Sequence, residues 1–170
     1  MLDKIKTMTK KSVLCIASAM MLMNGLVTNA FALTGTTSSI RYNDWILIDP
    51  TDGSEHGTEG YLLVDNQPVF CVDYFTTFRN NKKVTAGTYK DIGISEEKAK
   101  RLSLIAYYGT KVAGRTDKDW YAITQGLLWR EIHERDDLEW VRTPTAYTYA
   151  EVQQKWKEIL ADVDKFYVAP

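Results

Sequence analysis

Cys71 stands in the run Phe70-Cys71-Val72-Asp73, and Gln125 in the run Ile123-Thr124-Gln125-Gly126-Leu127-Leu128-Trp129. The thiolate form of a cysteine is a nucleophile and a metal ligand, so Cys71 is the first residue to ask about. Gln125 is the second, because its surroundings do not suit it. On a helix its neighbours three, four and seven residues away are Ala122, Leu128, Trp129 and Ile132. The carboxamide therefore projects from a largely apolar face, where an unpaired amide is costly. Something must satisfy it or consume it. His133 has the residue type of a general base, but eight residues beyond Gln125 nothing in the spacing puts it beside a reaction. His56 lies among glycines and reads as an exposed loop residue. Two isolated His and the one Cys beyond the N-terminal leader make no metal cluster, and no cofactor is implied.

The elements that must hold these residues come in two blocks. Trp45–Asp49 reads as a strand ended by Pro50, and residues 51–60 as a Gly-rich loop. Tyr61–Val64 and Val69–Phe75 are apolar, β-prone runs separated by Asp65-Asn66-Gln67-Pro68, which predicts a hairpin. Cys71 then falls within a strand, and Asp73 alternates onto its face. A weaker strand is expected between Val84 and Ile92. Beyond it the period becomes helical. Ser95 predicts an N-cap, with Glu96 and Glu97 in the first turn and Gly109 as the stop. A second helix is expected from Thr116, with Asp119 completing a variant capping box. It carries Trp120, Ile123, Leu127, Leu128 and Ile132 at helical spacings. Thr148-Tyr149-Ala150-Glu151 is a capping box ahead of an amphipathic stripe from Val152 to Phe166. Strands followed by helices predict an α+β fold, an antiparallel sheet or small β-sandwich or barrel packed with a helical subdomain.

Residues 1–32 stand apart from that domain. Lys4, Lys6, Lys10 and Lys11 precede the uncharged stretch Ser12–Val27, which closes on Ala30-Phe31-Ala32. This is the pattern of a secretory signal peptide, with cleavage expected after Ala32. The apolar run is shorter than the roughly 20 residues that cross a bilayer. Cys15 lies in mid-run behind a bulky Leu14, which argues against a lipid anchor. The leader holds one Asp and four Lys, which leaves 17 of the 21 basic and 21 of the 22 acidic side chains, a net charge of −4. That balance does not suit a phosphate-binding, nucleic-acid partner. Residues 33–170 have the length of one domain, with 33–39 as a flexible start. If the chain serves at a cell surface, this is expected to be the N-terminal piece of a longer protein. Cys71 is its one cysteine. A lone thiol in an oxidising compartment calls for an intermolecular pairing, a reactive role or chemical protection.

The two runs resemble the thioester domains of Gram-positive bacterial surface adhesins. That family pairs an aromatic-Cys-aliphatic-Asp strand motif with a Thr-Gln-x-x-aliphatic-Trp helix motif. Leu104-Ile105-Ala106-Tyr107-Tyr108-Gly109 is similar to a third family stretch that precedes the Gln helix. The resemblance implies an internal thioester between Cys71 and Gln125. A lysine amine on a host extracellular protein would open it to an isopeptide bond, a fibrinogen-like molecule being one partner the family suggests. Such a module sits at the cell wall or is secreted, acts once, and is not a turnover enzyme. The mature domain is not expected to insert into a membrane. Around the bond the resemblance implies supporting roles for Asp73, Thr124, Trp129 and Tyr108. Asp73 would sit near the bond or face solvent. Thr124 would orient the glutamine or make a plain helical contact. Trp129 would shield the bond while packing the core, and core packing also accounts for Tyr107 and Tyr108. The segment between Cys71 and Gln125 is shorter than in the family's larger domains, which leaves the target open.

Two other readings fit parts of the sequence. A secreted cysteine hydrolase would use Cys71 with His133 as base, although such nucleophiles usually begin a helix. A non-covalent extracellular binding module would use the 12% aromatic content, with Cys71 inert. The hydrolase needs His133 and not Gln125. The thioester needs Cys71 and Gln125 together. The passive module needs none of the three.

Overall fold

A computed structural model describes residues 15–17, 35–40, 46–48, 55–57, 61–72, 78–84, 87–134, 139–142 and 147–168. The strands are β1 (Cys15–Ala17), β2 (Gly35–Ile40), β3 (Ile46–Ile48), β4 (Glu55–Gly57), β5 (Tyr61–Val64), β6 (Gln67–Cys71), β7 (Lys83–Val84) and β8 (Glu139–Arg142). The helices are α1 (Glu96–Thr110), α2 (Lys118–His133) and α3 (Tyr149–Val168), with a 3-10 turn at Tyr89–Ile92. One sheet has the order β1-β6-β5-β2-β7 and the other β4-β3-β8, all pairs antiparallel. The α+β expectation is therefore met.

The β5–β6 hairpin turns on Asp65 and Asn66, both with positive φ. A two-residue hairpin requires that conformation, and Asn and Asp tolerate it. Asp65 also ties the hairpin to β2, accepting the Thr36 N–H at 2.8 Å. Strand β6 begins at Gln67, earlier than expected, and ends at Cys71. Cys71 is thus the last residue of its strand rather than a central one. Asp73 and the rest of 73–77 lie outside the described residues.

Several expectations are corrected. Residues 35–40 are not a flexible start but form β2, between β5 and β7. Gly35, Ser38 and Ser39 are not strand formers and dilute the β-prone Thr36, Thr37 and Ile40. The strand is held by partners distant in sequence. Among them, the buried Thr37 hydroxyl donates to Arg79 O at 2.7 Å. It also accepts from the Lys82 N–H at 2.8 Å. Part of the expected 51–60 loop is strand β4, and it contains His56, opposite Leu47. The expected strand over 84–92 is reduced to β7 and the 3-10 turn. Asp117, not Thr116, caps α2, its carboxylate accepting from Asp119 and Trp120 N–H at 3.0 Å each. Gly109 does not stop α1, which runs to Thr110. The caps at Ser95 and Thr148 form as expected.

The core lies where the hairpin meets the helices. Val64, Val69 and Phe70 from the sheet pack with Leu102, Ile105, Ile123, Leu128 and Ile159, all fully buried. Helix α3 is fastened to α2 by Trp156 Nε1, which donates to Ile123 O at 2.7 Å. Strand β1 falls inside the segment expected to be a signal peptide. It lies along β6 with Cys15 opposite Cys71.

Candidate functional site

Cys71 and Gln125, 54 residues apart in sequence, meet in the core. The Cys71 N–H donates to Gln125 Oε1 at 2.8 Å, and Gln125 Nε2 donates to Cys71 O at 2.7 Å. These are the two bonds a neighbouring strand residue would exchange with Cys71 in an antiparallel ladder. The β5–β6 register pairs Leu62 with Val69, and β5 starts at Tyr61. The Gln125 side chain takes up Cys71 beyond the last described pair of that ladder. Both ends of the awkward carboxamide are satisfied by a single residue, which offsets the cost of burying it. Gln125 is 1% exposed and Cys71 3%.

The same two bonds bias the carboxamide chemically. An N–H held on Oε1 draws electron density from the amide carbon and would stabilise an oxyanion formed there. The carbonyl on Nε2 orients the nitrogen that would leave. Carboxamide and cysteine are held together with water excluded, the condition under which proximity is most effective. Among the described residues, the charged groups with displaced titration lie elsewhere. Burial lifts the Asp119 carboxyl above its ordinary range, Lys118 opposing and Asp117 reinforcing, at the start of α2.

The other expected residues are placed as follows. Thr124 is fully buried, and its hydroxyl donates to Trp120 O at 2.7 Å, within its own helix. It packs so closely against Gly109 that a Cβ there would overlap Thr124 Oγ1 and lie 2.7 Å from Thr124 Cγ2. The Tyr-Gly stretch of α1 therefore has a steric purpose, letting α1 approach α2 beside Gln125. Trp129 is buried one turn beyond Gln125 in the common core. Tyr108 is half-buried, stands edge-on to Tyr107 at 5.3 Å between centroids, and offers its carbonyl to Arg115. His133 ends α2. Eight residues of helix separate it from Gln125, a rise of about 12 Å along the axis. His133 is thus not brought alongside Gln125. An open groove between α1, α2 and α3 is lined by Lys98, Arg101, Arg130, Glu131, Trp156 and Asp164, and by neither Cys71 nor Gln125.

One residue at the junction was not singled out from sequence. Tyr121, one turn before Gln125, donates its hydroxyl to Val69 O at 2.5 Å and accepts the Leu62 N–H at 3.3 Å. Its i, i+4 relation to Gln125 was the available signal.

A buried strand cysteine docked on a helix glutamine defines a class of protein built around a Cys–Gln pair. The sequence model described as Thioester domain matches residues 68–165, more than half of the chain, and the chain belongs to that family. The match begins at β6 and ends in α3, so it takes in both partners of the pair. No curated protein and no solved structure matches the chain. Among the described residues, no helix is long and apolar enough to cross a membrane.

Proposed function

We propose that Cys71 and Gln125 form an internal thioester and that the domain is a single-use covalent adhesion module. The observation that carries this reading is the reciprocal pair of hydrogen bonds between the Gln125 carboxamide and the Cys71 backbone. The Cys71 sulfur attacks the Gln125 carbonyl carbon. A C–S bond forms, the C–N bond breaks, and the thiol proton leaves on nitrogen as ammonia. An amide is a poor electrophile, and holding the groups in near-attack geometry can supply about 7–11 kcal/mol of the barrier. The thioester protects the lone thiol and stores a reactive acyl group. A lysine ε-amine on a partner then attacks the same carbon. The new C–N bond is an isopeptide, the C–S bond breaks, and an amine proton passes to the Cys71 sulfur. Asp73, Thr124, Trp129 and Tyr108 are read as supports of this centre rather than reactants.

Membership of the thioester-domain family supports an adhesin-like module. Secretion through residues 1–32, a place on a Gram-positive cell wall and a host protein as partner, fibrinogen-like or otherwise, rest on the sequence pattern and on the resemblance. The test is intact mass of the folded protein beside Cys71→Ala. The wild type should be lighter than its sequence by one ammonia, and the variant should have its full mass. Methylamine should then add to Gln125 and free one thiol. A wild type of full mass with a titratable thiol overturns the proposal and returns the hydrolase and the passive module to contention.

A further inference from the structure

The contacts of Tyr121 are more than those of a packed aromatic. Its ring is stacked on Phe70, with centroids 4.7 Å apart, and on Tyr61, at 4.4 Å. Its hydroxyl bonds to Val69 O and Leu62 N, which belong to cross-strand partners. The phenol is wedged into the ladder as the Gln125 carboxamide is docked beyond its last described pair. The spacings of the two docks agree. Tyr121 and Gln125 are four residues apart on α2, a rise of about 6 Å. Val69 and Cys71 are two residues apart on β6, a rise of about 6.6 Å. Fixing Tyr121 on Val69 therefore brings Gln125 onto Cys71. A slip of one helical residue would move the carboxamide about 1.5 Å along the axis and turn it about 100° away.

We propose that Tyr121 is a positioning residue for the internal bond. It acts through the β6 backbone rather than as a reactant, setting the register in which Cys71 and Gln125 meet. This rests on the reading of Cys71 and Gln125 as the bonded pair. It follows that the hydroxyl matters to the rate of bond formation apart from what it adds to stability. Proximity catalysis is steep, and a misplacement near ~1 Å can cost about a hundredfold.

The test starts from the full chain made and purified in the unfolded state, with Gln125 and Cys71 unreacted, then removes the denaturant and follows the loss of ammonia by intact mass. Three chains are compared: wild type, Tyr121→Phe and Ile159→Val. Tyr121→Phe keeps the stacked ring and removes both hydroxyl bonds. Ile159→Val trims one methyl from the α3 part of the core and leaves the hydrogen bonds of both docks in place. Near-UV circular dichroism reports folding in the same samples. Tyr121→Phe should fold and then lose ammonia roughly ten- to a hundredfold more slowly than wild type. Ile159→Val should match wild type. Equal rates for wild type and Tyr121→Phe overturn the proposal, as does slowing of both variants in proportion to their lost stability. If Tyr121→Phe does not fold, Tyr61→Leu loosens the same ring from its other face. It should show a smaller slowing, and a wild-type rate there overturns the proposal. A wild type that never loses ammonia fails the underlying reading itself, an outcome distinct from the others.

Discussion

At the scale of residues, the decisive fact is that Gln125 uses both its donor and its acceptor on one residue's backbone. That makes the site sensitive to a change of a single atom. In Gln125→Glu the shape is kept, but an oxygen replaces the nitrogen that faced Cys71 O. If ionised, the buried carboxylate would confront a carbonyl without a proton between them. Its burial and that carbonyl both favour the neutral acid, so its pKa in the folded chain should rise above the ordinary value of about 4.3. The sign follows. A folded-state pKa above the unfolded one gives stability that is complete below the unfolded value and lost as pH rises through the folded one. In a Cys71→Ala background, where no covalent bond can form, Gln125→Glu should therefore melt with its parent near pH 4 and progressively below it towards pH 8. A gap independent of pH would contradict the two-bond dock. The same carboxyl is what hydrolysis of a thioester leaves behind, so spent molecules should share the weakness. Cys71 and Gln125 drew attention in the sequence because each is chemically out of place, the one thiol beyond residues 1–32 and an amide on an apolar face. Tyr121 did not, because an aromatic in a helix is ordinary until its hydroxyl is seen to reach Val69.

At the scale of elements, the helices were legible and several strands were not. Ser95 and Thr148 announce helix starts through local bonds that a sequence can show. Strands β2 and β4, by contrast, have the sequences Gly-Thr-Thr-Ser-Ser-Ile and Glu-His-Gly. Strand β2 pairs with β5 and β7, tens of residues away, and no local pattern contains that information. Gly109 was misread for a related reason. A glycine near a helix end usually marks a C-cap, but here it marks the point where α1 crosses α2. Gly109→Ala would drive a Cβ into Thr124 Oγ1 and to 2.7 Å from Thr124 Cγ2. Thr124 is fully buried and tied to Trp120 O, so it cannot swing aside. The helices must separate, and the expected cost is about 1–3 kcal/mol. Denaturant melts should show that loss. They should also show that Gly109→Ala with Thr124→Ala is more stable than Gly109→Ala alone, because the coupling is steric. A double variant no better than the single one would mean that the crossing is not what Gly109 serves.

At the scale of the whole molecule, the proposed bond joins the sheet to the helices. Without it, those halves are held by the core, by Tyr121 and by the Gln125 dock. The helices are linked to one another by Trp156 on Ile123 O and by ion pairs from Arg101 to Glu131 and Asp164 and from Arg115 to Asp162. None of those ties is covalent. A thioester between residues 71 and 125 would close a loop of 54 residues. By the loop-closure argument used for disulfides, a covalent link of that span restricts the unfolded chain by about 4 kcal/mol. For a domain of this size, each kcal/mol moves the melting temperature by about 2–4 °C. On the proposed mechanism the attack of an amine would remove this brace at the moment it made the external tether, and the attached module would be the less stable form. Methylamine supplies the test, since on the proposed reading it opens the bond and leaves one methyl group on the Gln125 carboxamide as the only other change. Methylamine-treated protein should melt roughly 10 °C below the intact form. Cys71→Ala, which never has the bond, should be unaffected by the same treatment. If the treated wild type instead melts with the intact protein, the bond stores reactivity without bracing the fold, and the core, Tyr121 and the hydrogen-bonded dock suffice to hold β6 to α2.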